Sequence, residues 1–79
     1  MTDLSESYLR DLGFLLREEA FKAKEQYGSA KADTRSFESG RYMAYHEVIS
    51  LMLSQAEAFG LPLSMLSLEG VDADRDLLS

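Results

Sequence analysis

The stretch FESGRYMAYHEVISLMLSQAEAF, from Phe37 to Phe59, constrains this chain more than any other. At about 100° per residue its apolar positions divide between two sides. Phe37, Ala44, Val48, Leu51, Met52 and Phe59 lie on one; Tyr42, Tyr45, Ile49, Leu53 and Ala56 lie on the other. Together they span roughly 220° of the helix surface, where an ordinary surface helix shows little more than about 100°. One antiparallel neighbour covers half of that. The other half needs a second partner.

Residues 4–27 form the natural neighbour. Leu9, Leu12, Leu16, Ala20, Ala23 and Tyr27 recur at spacings of 3, 4, 4, 3 and 4 and make one helical stripe. Thr2, Asp3 or Ser5 supplies the cap, and Asp3 and Glu6 sit at the positive end of the helix dipole. Phe14 and Phe21, one heptad apart, fall off the stripe and mark either the flank of a larger core or a surface for a partner. Gly13 interrupts the helix at a cost of about 1 kcal/mol relative to Ala; it either admits a close neighbour or has no consequence.

The connection, residues 28–35, has turn composition and no periodicity, and Asp33, Thr34 or Ser36 can cap the next helix. So short a link makes the two long helices antiparallel neighbours. Helix 36–59 then stops at Gly60, with Pro62 just beyond. The leucines of LPLSMLSL predict a short helix over 62–68, packed across the end of the hairpin and closed by Gly70. The residues from 70 to 79 read as an acidic, partly disordered tail. The whole of 1–79 is one domain, because neither half of the hairpin has a core of its own.

A chain of 79 residues lies near the size limit at which a single core suffices. With no cysteine there is neither a disulfide nor a thiolate metal site, and one histidine builds no His-rich site. Oligomerisation is the reinforcement left. Fourteen acidic against eight basic residues give a net charge of −6, which lacks the basic patch that nucleic-acid backbone binding requires. The N-terminus carries acids where a signal peptide carries positive charge, and no window approaches the roughly 18 apolar residues of a membrane span. A cytoplasmic location is the expectation.

Chemistry-bearing patterns are incomplete. Asp72, Asp74 and Asp76 alternate as at the start of a calcium loop, but the sixth position is Leu77 where that loop needs glycine. His46-Glu47 begins like a zinc protease helix, yet position 50 is Ser instead of the second histidine. Tyr42, Tyr45, His46 and Glu47 disperse over different faces, with no phosphate cradle or nucleophile turn beside them. The expectation is no catalytic residue, no metal and no cofactor. Arg41 projects into the apolar sector and demands an acidic partner, for which Glu19 is the candidate within the chain and an acid of a partner subunit the alternative.

The sequence therefore predicts an all-α fold: an antiparallel two-helix hairpin plus a short C-terminal helix, dimerising into a four-helix bundle. Tyr42, Tyr45, Ile49, Leu53 and Ala56 are expected at the dimer interface, Phe14 and Phe21 at a further partner surface, and Arg41 with Glu19 in a buried ion pair. The corresponding role is a non-enzymatic protein–protein interaction or regulatory module engaging an unidentified protein. An acidic inhibitor, either toxin-neutralising or mimicking nucleic acid, is the alternative, followed by a small-ligand-binding or enzymatic bundle. A chain that covers its central helix with its own C-terminal segment would not need the second copy.

Overall fold

The computed structural model describes residues 4–77 of the chain, apart from the side chain of Asp74. Two long helices, α1 (Leu4–Gly28) and α2 (Arg35–Phe59), pack against each other as an antiparallel hairpin. A 3₁₀ turn (Leu63–Leu66) and a short helix, α3 (Ala73–Leu77), complete the described chain, which contains no strand. The molecule measures 49 × 21 × 16 Å. The expected caps Thr2 and Asp3 lie outside the described residues.

The boundaries follow local chemistry. Thr34 occupies the N-cap position of α2, but its hydroxyl turns back to the Lys31 carbonyl and makes no cap hydrogen bond. At the other end Gly60 adopts φ 67°, and the amides of Gly60 and Leu61 donate to the carbonyls of Glu57 and Ala56. This left-handed ending satisfies carbonyls the helix leaves orphaned. It also turns the chain back along the hairpin, so everything after Gly60 becomes a strap.

That strap decides the core. Ile49 (1% exposed), Leu68 and Leu77 are the largest side chains fully withdrawn from solvent. Around them close Ala20, Tyr42, Ala56, Leu66, Val71 and Ala73, with Leu16, Tyr45, Met52 and Leu53 packed at the edge. The core is thus a seam among α1, α2 and the strap, and its deepest line on α2 is Tyr42–Ile49–Ala56. On α1 the buried residues are Gly13, Ala20 and Ala23, all small. A Cβ on Gly13 would overlap the Leu66 carbonyl, so glycine is what lets the strap lie against α1.

Polar bonds hold the strap down along its length. Ser67 Oγ donates to the Arg10 carbonyl (2.9 Å), Arg17 Nη1 donates to the Ser67 carbonyl (3.3 Å), and Lys24 Nζ donates to the Asp76 carbonyl (2.8 Å). The acidic terminal stretch, expected as a partly disordered tail, contributes Val71, Ala73 and Leu77 to the core instead. Its aspartates organise α3. Asp72 accepts from the Arg75 amide and Asp76 accepts from the Asp72 amide, a reciprocal N-terminal cap. Arg75 closes the ring on the Asp76 carboxylate (2.8 Å) and the Gly70 carbonyl (2.8 Å). These hydrogen bonds hold the Asp76 carboxyl well below the usual carboxylate range, the Arg75 contact being the largest cause.

Candidate interaction surface

The strap inverts the two faces of α2 relative to the sequence-based expectation. Tyr42, Ile49 and Ala56, expected to meet a second copy, are buried inside this chain; Tyr45 and Leu53 are half-buried at the edge of the same core. Little of the first three is left for an outside partner. The reason is geometric. Their side of α2 faces α1 and the strap together, so two elements share a seam that a bare hairpin would have left open. The side expected to rest on α1 is the one that faces solvent.

On that outer side α1 and α2 bound a groove of about 390 Å³ lined almost wholly by apolar groups. Leu9, Leu12 and Leu16 of α1 form one wall; Val48, Leu51, Met52 and Phe59 of α2 form the other, with Leu61 and Leu66 at the open end of the hairpin. Leu51 is 61% exposed and Phe59 74% exposed. Phe37, at the connection end of the same side, is 70% exposed. Leu9, Leu12, Val48 and Leu61 each keep more than a third of their surface in solvent as well, so the apolar exposure is contiguous along the groove. The largest patch on a typical monomer is about 300–600 Å² and is commonly functional.

Toward the connection the inter-helix surface becomes polar. Arg41 Nη2 donates to Glu19 Oε2 (3.3 Å), its Nη1 donates to Gln26 Oε1 and lies 4.0 Å from Glu38 Oε2, and its guanidinium covers the Tyr45 ring. The predicted Arg41–Glu19 pair is present, but with side chains 25% and 44% exposed it is half-buried. A pair this open contributes about 0.2–1 kcal/mol. Its larger effect is to fix the relative position of the two helices near the connection. Sequence reasoning missed Gln26 and Glu38, although both lie within a helical turn or two of the predicted pair on their own helices.

The other singled-out residues do not assemble into a reactive site. Tyr42 stacks on Tyr27 (ring centroids 5.3 Å apart), and Arg35 lies over the far ring. Burial, assisted by the neighbouring Tyr27, pushes the Tyr42 phenol up, so it stays protonated at neutral pH. Tyr45 and His46 are half-buried and Glu47 is exposed. Phe14 and Phe21 part company: Phe14 remains exposed, whereas Phe21 packs partly on the core. Among the described residues no three His, Asp or Glu side chains converge in metal-binding geometry, and no helix is long and apolar enough to cross a membrane.

The outer groove was legible only indirectly. The two-sided apolar pattern of α2 announced that one face would be left over, and Gly13 was one candidate for a close neighbour of α1. No protein family, curated protein or solved structure matches the chain.

Proposed function

We propose that this chain is a non-enzymatic protein–protein interaction module of the cytoplasm, acting through the outer face of its helical hairpin. The observation that carries this reading is the near-uniformly apolar groove between α1 and α2, with Leu51 and Phe59 largely in solvent at its wall. Apolar surface of this extent is favourable to cover, at about 25 cal/mol for each Å² removed from water. The first partner is a second copy of the chain, and two hairpins joined on these faces make a four-helix bundle. The remaining acidic surface is then free to engage a further protein.

Surface area supports the same reading. The chain exposes 5459 Å², against roughly 4800 Å² for a compact protein of its mass. Leu51→Asp tests the proposal, because it places a charge on the outer face without touching the core. The helical circular dichroism stays unchanged while the mass by light scattering falls from that of a dimer to 8.9 kDa. A variant that keeps the native dimer mass overturns the assignment of this face.

A further inference from the structure

Resting on that self-association reading, we infer that the two copies meet α2 against α2, antiparallel, about a two-fold axis at Val48. The outward stripe of α2 runs Phe37, Gly40, Ala44, Val48, Leu51 and Gln55, ending at Phe59, with a mean spacing of about 3.7 residues, so it stays on one face of a nearly straight helix. All of these residues are exposed in the single chain. Among the described residues none buries the stripe, and a Cβ placed on Gly40 would meet no neighbouring atom within 4 Å.

Charge identifies the occupant. The chain carries fourteen acidic residues and a net charge of −6, so two copies repel wherever their carboxylates meet. Across a sector of about 100° centred on this stripe, α2 bears no Asp or Glu; Glu47 stands at its outer border. The single charge inside the sector is Arg41, which is engaged with Glu19. A basic partner helix would find only Glu47, at the border, to recognise. A second copy finds the one long face of α2 on which its own acids are absent.

The order of residues along the stripe identifies the direction. With the axis at Val48, Phe37 comes level with the partner's Phe59, so the two most exposed aromatics of the stripe cover each other. Small Ala44 comes level with the partner's Met52 and within one residue of the partner's Leu51, and Arg41 comes level with the partner's Gln55, an amide able to accept from the guanidinium. The parallel alternative sets every residue against itself. Arg41 would face the partner's Arg41 across the axis, leucine would face leucine, and Ala44 would face alanine and leave a gap. Like charges opposed at an interface penalise that arrangement.

The chain has no cysteine, so single cysteines report the arrangement directly. Val48→Cys, Ala44→Cys and Leu51→Cys each alter an exposed side chain, and circular dichroism confirms their folding. Under mild oxidation Val48→Cys forms a covalent dimer. Ala44→Cys alone and Leu51→Cys alone do not, because at 1.5 Å per residue their copies lie about 12 and 9 Å apart along the seam, beyond the ~7 Å limit for a disulfide. An equal mixture of those two variants does cross-link. Self-cross-linking at both 44 and 51 in a protein of dimer mass establishes the parallel arrangement and overturns this inference while leaving self-association intact. Dimer mass with no cross-link at any of the three positions overturns the seam. A monomer mass overturns the self-association reading and this inference together.

Discussion

Replacing Gly13 by Ala separates the strapped fold from a plain helical hairpin. In an exposed helix interior the change stabilises by about 1 kcal/mol, because alanine has the better helix propensity. Here the added methyl would overlap the carbonyl of Leu66, a backbone atom that cannot rotate aside. The 3₁₀ turn cannot simply lift, since Ser67 is bonded to Arg10 and Arg17 on either side of the contact. Forcing a methylene-sized group into such a place costs about 1–3 kcal/mol. Partial exposure of Leu66 or Leu68, both buried, adds a share of the roughly 1.5–3 kcal/mol that each buried leucine represents. Set against the propensity gain of about 1 kcal/mol, the net loss is about 1–4 kcal/mol. For a domain whose total stability is on the order of 4–12 kcal/mol, urea unfolding followed by circular dichroism resolves this easily. A Gly13→Ala variant as stable as the native chain, or more so, refutes the packing of the strap on α1.

The inverted faces of α2 make a paired prediction. Ile49→Ala destabilises by about 2–5 kcal/mol, whereas Val48→Ala on the monomeric Leu51→Asp background costs less than about 1 kcal/mol; equal losses in chemical denaturation contradict the assigned core. Ile49→Asp unfolds the chain instead of merely separating two copies, and retained helical dichroism in that variant contradicts the burial of Ile49. Asp76 gives a pH signature with a definite sign. Its folded pKa is depressed, chiefly by Arg75, so its stabilisation is complete at neutral pH and is lost as the pH falls from the ordinary carboxylate range toward the folded value. Asp76→Asn lowers stability at pH 7 and flattens that acid limb, and an unaltered acid limb in thermal unfolding refutes the role given to the Asp72–Arg75–Asp76 ring.

Local signals in the sequence carried much of the architecture. The apolar stripe of residues 4–27, the glycine at 60 followed by Pro62, and the short connection are statements about periodicity and backbone freedom, and each acts within a few residues. The course of the strap is a long-range matter. Nothing within LPLSMLSLEGVDADRDLL specifies which side of the hairpin it crosses; that depends on Gly13, more than fifty residues earlier, leaving room for a backbone carbonyl. Once the strap lies there, Tyr42, Ile49 and Ala56 become interior and the opposite side of α2 is left outside. The periodicity of α2 gave the width of its apolar surface correctly but carried no information on which half the chain itself would cover. The aspartates misled for a related reason: a run of acids between apolar residues has a tail's composition, yet Asp72 and Asp76 are spaced to cap a turn whose apolar residues are core.

Whether a second copy covers the exposed α1–α2 face, as proposed, is decided by the molar mass of the native chain in solution. Size-exclusion chromatography with light scattering, run over a wide range of concentrations, yields a species near 18 kDa, twice the 8.9 kDa of one chain, that dissociates on dilution. A constant 8.9 kDa at every concentration means that no second copy covers this face.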